Sequence, residues 1–174
     1  MSNENKVILR ELRGEDTTLL LRWENNQENW RVSDRTKSLV KADIELLIES
    51  QQNAESPYAL DQFRYMICEA GSGRPLGTID FYEADWKVDS TYLGILIANP
   101  ADRSSGFGSQ ALELFLEKLH DEFDLTTVKV RIQPDNMGSI RFFERAGFRK
   151  KNNEKHLNEQ DADYIEFVRE LEKK

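Results

Sequence analysis

Apolar residues recur along the chain with two different periods, and the change from one to the other divides it. Weak alternation over 7–12 predicts a strand. Gly14-Glu15-Asp16 then leads into a helix carrying Leu19, Leu20, Leu21 and Trp23, with Asp16 as its N-cap. Residues 30–38 are polar and irregular. Residues 41–52 carry Ile44, Leu47 and Ile48 at helical spacing, and 53–61 form a loop holding Pro57. Three strand-like runs follow at 63–70, 76–82 and 91–98. The turn signal Gly71-Ser-Gly-Arg-Pro75 separates the first two, and polar 85–90 leads to the third, so the spacings predict an antiparallel meander.

Beyond residue 98 helical and strand periods alternate. The strand 91–98 stops at Asn99-Pro100, and a short polar loop follows. Gly106-Phe107-Gly108 then opens a helix with Ala111, Leu112, Phe115, Leu116 and Leu119 on one face. Residues 126–133, rich in Val and Ile, form the next strand. A second helix spans 136–146 and ends at Gly147, a suitable C′ residue. Strands at 148–157 and 164–171 close the chain around a turn at 158–163. The order β-α-α-β-β-β-α-β-α-β-β predicts an α+β fold, a mixed and mostly antiparallel sheet flanked by helices. The passage 91–133 should be a right-handed parallel crossover.

The 174 residues suffice for one domain with a sizeable core, and no linker or repeat divides 1–174. No apolar run approaches the ~20 residues that cross a bilayer, and the first residues lack a signal peptide's apolar segment. Cys68 stands alone, so a cytoplasmic location is expected. His120 and His156 are the only histidines and form no metal-ligating cluster with it. The net charge of −8 opposes binding to a phosphate backbone, which argues against nucleic acid as a partner. The surplus of carboxylates keeps a protein soluble, and it also suits a cationic acceptor such as an amine.

The most informative stretch runs from Ile97 to Ala111. A helix start carries unpaired N–H groups and a partial positive charge. Gly106 and Gly108 remove the side chains that would block an anion, and Arg103 adds a formal charge just before them. This is a seat for a pyrophosphate. Gly106-x-Gly108-x-x-Ala111 satisfies the letters of the dinucleotide fingerprint, but that motif needs its first glycine in the tight turn after the strand. Here seven residues separate Ala98 from Gly106, and the preceding elements are helical and antiparallel. No Gly-Lys-Ser/Thr follows the loop, which excludes a nucleotide-triphosphate P-loop.

Arg103-Ser-Ser-Gly106-Phe-Gly108 resembles the Arg/Gln-x-x-Gly-x-Gly/Ala loop of the GCN5-related N-acetyltransferases. Asn136-Met-Gly-Ser139-Ile-Arg-Phe-Phe-Glu-Arg-Ala-Gly147-Phe148 resembles that family's second signature. Leu9-Arg10-Glu11-Leu12 and Trp23-Glu-Asn-Asn26 are similar to the start of the subgroup that acetylates ribosomal-protein N-termini and spermidine. The resemblance implies acetyl-CoA as cosubstrate. Its pyrophosphate would sit on the backbone of Arg103, Ser104, Ser105, Gly106, Phe107, Gly108 and Ser109. Its pantetheine arm would pair with Leu96, Ile97 and Ala98, where the family's strand splays from its parallel neighbour; ordinary sheet pairing is the alternative. Asn136 suits an N-cap and, in the family, a hydrogen bond to the cofactor arm. Ser139 is a second cofactor candidate on the same helix.

Acetyl transfer to an amine requires a neutral nucleophile and a departing thiolate, helped by a proton donor. Many relatives place a Tyr seven residues after the Asn; this chain has Phe143, which can pack against the arm but holds no proton. Tyr92 is the candidate acid, and Asp80 and Glu83 are the carboxylates expected to face the acceptor. Cys68 lacks a neighbouring histidine in the sequence, so no covalent enzyme intermediate is expected. The resemblance implies N-acetyl transfer by direct attack in a ternary complex. The acceptor is either a polyamine-like small amine or a protein N-terminus, and a homodimer is one assembly the resemblance admits. A non-catalytic acyl-CoA-binding sensor is the alternative that Phe143 motivates.

Overall fold

The computed structural model describes residues 4–33, 38–151 and 164–172. Seven strands form one sheet: β1 (Val7–Glu11), β2 (Phe63–Glu69), β3 (Pro75–Asp85), β4 (Ser90–Ile97), β5 (Thr127–Ile132), β6 (Arg149–Lys150) and β7 (Ile165–Glu170). Their spatial order is β1-β2-β3-β4-β5-β7-β6. Every neighbouring pair is antiparallel except β4 and β5. The helices are α1 (Thr17–Glu24), α2 (Gln27–Ser33), α3 (Lys41–Gln52), α4 (Phe107–Phe123) and α5 (Met137–Arg145). This is the expected mixed α+β architecture.

Alternation along the strands sorts residues to two faces. On one face Phe63, Tyr65, Ile67, Ile79, Phe81, Leu93, Val128 and Val130 bury against Ala111, Leu112, Phe115, Leu116 and Leu119 of α4. Phe143 of α5 and Phe148 complete that core. On the other face Met66 and Cys68 meet Leu20 of α1 and Ile44 and Ile48 of α3. The strand β2 is thus covered on both sides, which explains why Phe63 to Cys68 are all buried.

Four elements differ from expectation. The segment 30–38 was expected to be irregular, but α2 covers Gln27–Ser33. It has no apolar stripe to announce it. Tertiary bonds hold it instead: the Trp30 indole N–H donates to the Glu24 carbonyl at 2.6 Å, and the Asn29 amide donates to that of Trp23 at 3.0 Å. A 3-10 turn, Gly14–Asp16, precedes α1, and the Asp16 side chain makes no cap bond to it. That carboxylate instead accepts from the Arg10 guanidinium at 2.8 and 2.9 Å and from the Arg13 N–H at 2.8 Å. The strand β3 runs on through a bulge between Tyr82 and Asp85. Of the expected strand 148–157, β6 covers Arg149–Lys150, and residues 152–163 lie outside the described residues.

Candidate active site

The parallel pair at the centre of the sheet is short. β4 and β5 pair only at Ser90 with Thr127, Thr91 with Val128 and Tyr92 with Lys129. Beyond Tyr92 the strands separate, and a cavity of about 880 Å³ opens between Leu93–Ile97 on one side and Val130–Gln133 on the other. The Ala98 N–H donates to the Leu76 carbonyl at 2.9 Å. Backbone groups alternate in direction along an antiparallel strand. Leu96 and Ala98 therefore turn theirs toward β3, whereas Ile95 and Ile97 turn theirs toward the opening. This revises the expected trio: of Leu96, Ile97 and Ala98, only Ile97 offers its backbone to the wedge, and Ile95 joins it. Leu96 still lines the cavity, but Ala98 does not.

At the wide end of the wedge stands the start of α4. Gly106 precedes it with φ 85°, a left-handed conformation that glycine adopts without strain. Ser104 shares that region at φ 64°. The first backbone bond of the helix runs from the Gln110 N–H to the Gly106 carbonyl at 3.1 Å. The N–H groups of Phe107, Gly108 and Ser109 precede it, as the unpaired donors of a helix start do. A β-carbon on Gly108 would meet Ile97 and Phe142 at 3.6 Å and occupy the space between α4, β4 and α5. Ser104, Gly106, Gly108 and Ser109 line the cavity, whereas Ser105 and Phe107 do not. Phe107 packs instead on the core.

Arg103 also lines the cavity, and its side chain braces the loop. Its Nε donates to the Ile97 carbonyl at 2.9 Å, and an Nη reaches Asn29 Oδ1 of α2 at 2.9 Å. It ties the loop to the end of β4 and to the helix on the opposite face. Further positive charge comes from residues that sequence reasoning missed. Lys6 Nζ lies 3.8 Å from the β-carbon position of Gly106. Arg141 and Arg145 of α5 line the cavity; their spacing of four, which shares a helix face, was the available signal. Asn136 caps α5, its side chain accepting from the Ser139 N–H at 3.2 Å. Asn136 and Ser139 both line the cavity.

The narrow end of the wedge reaches the face covered by α1. Asp80 projects there from β3, opposite Gly94 of β4. Its Oδ2 accepts from Arg64 Nε at 3.2 Å, Arg64 Nη2 at 3.0 Å and Gln62 Nε2 at 3.3 Å. Its Oδ1 stands 2.6 Å from where a Gly94 β-carbon would be. Arg64 also donates to Glu24 of α1 at 2.6 Å. Burial pulls the Arg64 guanidinium down, but the Asp80 and Glu24 carboxylates outweigh it, so the side chain stays charged. Tyr82, two residues after Asp80 and so on the same face, lines the cavity as well.

Tyr92 and Glu83, the other catalytic candidates, are not brought to this cavity. The Tyr92 hydroxyl donates to Glu166 Oε2 of β7 at 2.7 Å, and the Arg131 guanidinium lies 3.8 Å from its ring centroid. Burial, with the Glu166 carboxylate, pushes the phenol up to about 12, which makes it a poor proton donor. Glu83 sits in the β3 bulge at φ 49° and pairs with Arg131 at 2.9 and 3.2 Å on the exposed surface. Phe143, 6% exposed, forms part of the cavity wall and packs edge-on against Phe142 and Phe148. Cys68 is buried between the sheet and α1, away from the wedge. Among the described residues no cluster of His, Cys, Asp and Glu could hold a metal, and no helix is long and apolar enough to cross a membrane.

Taken together, unpaired amides at a glycine-opened helix start, a parted pair of parallel strands and basic side chains nearby fit a slender ligand with a diphosphate at one end. Comparison with known proteins places the chain among acetyltransferases. The family model described as Acetyltransferase (GNAT) domain matches residues 6–149. The probable N-acetyltransferase YjcK of Bacillus subtilis is 23% identical over 120 residues, which span 66% of each chain. The aminoglycoside N(6′)-acetyltransferase type 1 of Klebsiella pneumoniae is 24% identical over 163 residues, or 86% of this chain and 77% of that one. Among solved structures, the spermidine N-acetyltransferase of Vibrio cholerae, in complex with CoA and spermine, superposes with a TM-score of 0.79 over 95% of both chains at 16% identity.

Proposed function

This chain belongs to the GNAT acetyltransferase family, and we propose that it transfers acetyl from acetyl-CoA to a primary amine of a small, polyamine-like cation by direct attack in a ternary complex. The observation that carries this reading is the Asp80 carboxylate at the narrow end of the wedge, one oxygen held and the other directed over Gly94. The name of the Klebsiella relative specifies an aminoglycoside acceptor, and the Vibrio structure holds spermine. Both are polycationic amines, and the carboxylate surplus of this chain goes with that class.

The amides of Phe107, Gly108 and Ser109 would hold the diphosphate, and the backbone of Ile95 with the N–H of Ile97, whose carbonyl is taken by Arg103, would hold the pantetheine arm. Acetyl-CoA supplies the acyl group already activated as a thioester. Backbone N–H groups of the parted strand face the wedge and would steady negative charge developing on the acyl oxygen. Asp80 Oδ1 takes the proton that the attacking ammonium must shed, directly or through one water. Phe143 holds no proton, so it lines the arm's path and leaves the thiolate to depart unassisted. Thiols of this kind ionise near ~8.5, which makes such a departure feasible. Cys68, buried and unpaired, takes no part, and a reduced lone thiol goes with a cytoplasmic protein.

The test is release of free thiol from acetyl-CoA in the presence of spermidine, of a serine-initiated peptide, and of buffer alone. Turnover with spermidine and not with peptide is expected, with Asp80→Asn slower by roughly 10²-fold, the lower range for a lost general base. Binding of acetyl-CoA with no thiol release for any amine would make the protein an acyl-CoA-binding module instead.

A further inference from the structure

Four residues to which the sequence reading gave no role surround Asp80: Arg64 and Gln62 at Oδ2, Gly94 beside Oδ1, and Glu24 beyond Arg64. Arg64 occupies Oδ2 with two hydrogen bonds, at 3.0 and 3.2 Å. Gly94, its cross-strand partner, lacks the β-carbon that would stand 2.6 Å from Oδ1. Glu24 fixes the far side of the same guanidinium at 2.6 Å. Arg64 itself is held at its backbone: its N–H donates to Gln51 Oε1 at 2.7 Å, and Gln51 Nε2 donates to its carbonyl at 3.0 Å. Four elements thus converge on one carboxylate: α1 through Glu24, α3 through Gln51, β2 through Arg64 and β4 through Gly94.

We propose that Arg64 and Gly94 are positioning residues that present a single oxygen of Asp80 to the cationic head of the acceptor amine. The proposal rests on the acceptor reading above. The arrangement works by subtraction. An isolated carboxylate rotates and offers about four lone-pair directions. With Oδ2 accepting from both Nε and Nη2 of the planar Arg64 guanidinium and from Gln62, Oδ1 is the oxygen that remains, and it overhangs Gly94 on the cavity wall. A lysine at position 64 would keep the charge and lose the fork. An alanine at position 94 would keep every charge and push the Asp80 carboxylate out of its rotamer, since the obstructed atom is the end of a side chain.

The test is a double-mutant cycle on amine binding, read by calorimetry with spermidine titrated into the CoA-loaded protein. Arg64→Lys and Gly94→Ala should each weaken spermidine binding at least tenfold while the dissociation constant for CoA stays within twofold. In an Asp80→Asn background either change should cost less than threefold, because its effect runs through the carboxylate. Equal losses in both backgrounds would overturn the proposal, as would wild-type protein that binds no spermidine. Where Arg64→Lys does not fold, Gly94→Ala carries the same test without altering a charge. Thiol release separates the two readings: coupled binding without turnover sinks the enzyme and keeps the positioning, and turnover with additive losses does the reverse.

Discussion

The Arg103 Nε lies 2.9 Å from the carbonyl oxygen of Ile97, six residues back along the chain. The bond closes the segment between β4 and α4 into a brace, and the second arm of the guanidinium extends it to Asn29 of α2. The residue expected to supply charge to an anion also holds the loop whose amides face the cavity. Arg103→Ala should therefore weaken CoA binding by loosening the loop. Loss of hydrogen bonds to a charged group costs about 1.5–3 kcal/mol, or roughly 10- to 100-fold in dissociation constant. Calorimetry with CoA reads it, and an unchanged constant would assign the brace no part in binding.

A second expectation concerns the missing acid. Phe143 forms part of the cavity wall, so Phe143→Tyr adds a hydroxyl where the wedge meets α5. The kcat for acetyl transfer should rise by about tenfold below pH 8, less than the ~10²-fold or more of a fully positioned acid. Above the ionisation of the CoA thiol the gain should vanish. A pH profile flat in its ratio to wild type would show that proton donation to sulfur is not limiting.

Most element types and the antiparallel meander were readable because most elements keep their period, whereas the place of β7 between β5 and β6 was not. The six apolar positions buried by α4 and the meander of β2, β3 and β4 repeat at spacings that report their own geometry. The helix α2 escaped because it is polar and held by tertiary bonds. The backbone parity that exchanges Leu96 and Ala98 for Ile95 depends on register, which one strand alone does not encode. The Glu24–Arg64–Asp80 cluster joins residues 40 and 16 positions apart. Its one local sign was a charge inside the apolar run Phe63-Arg-Tyr-Met-Ile-Cys68. Tyr92 was placed in the correct strand, yet only the fold shows its hydroxyl committed to Glu166.

Gly77 gives a prediction about stability. A β-carbon there would overlap the Leu96 carbonyl on the neighbouring strand, an obstacle of backbone that cannot rotate away. Gly77→Ala should cost about 3 kcal/mol or more, as overpacked sites do. For a chain of this size that lowers Tm by roughly 6–12 °C. A thermal melt within 2 °C of wild type would show that β3 and β4 can part at no cost.

Asp16 gives one about pH. Burial raises its carboxyl, but the bonds from Arg10 and Arg13 outweigh burial and hold it below the usual carboxylate range. A lowered folded pKa means stability that is present above the unfolded value of ~3.9 and lost as pH falls through the folded one. Asp16→Asn should therefore melt lower than wild type at pH 7, by ~2 kcal/mol for hydrogen bonds to a charge. The gap should narrow as pH falls below the unfolded value and through the lower folded one. A gap of equal size at pH 3 and pH 7 would remove the ionised carboxylate from the explanation.

The central claim is that main-chain amides at the start of α4 grip a diphosphate. It is tested most directly by titrating CoA and pantetheine, which lacks the diphosphate, into the wild type and Gly106→Val. A side chain at φ 85° is strained by about 1–3 kcal/mol, and among the described residues, its chain neighbours aside, Lys6 alone stands within 4 Å of its β-carbon, so the fold should survive while the amides swing away. The account predicts CoA bound at least 100-fold more tightly than pantetheine by wild type, with that preference falling to tenfold or less in the variant. A preference identical in both proteins would contradict it.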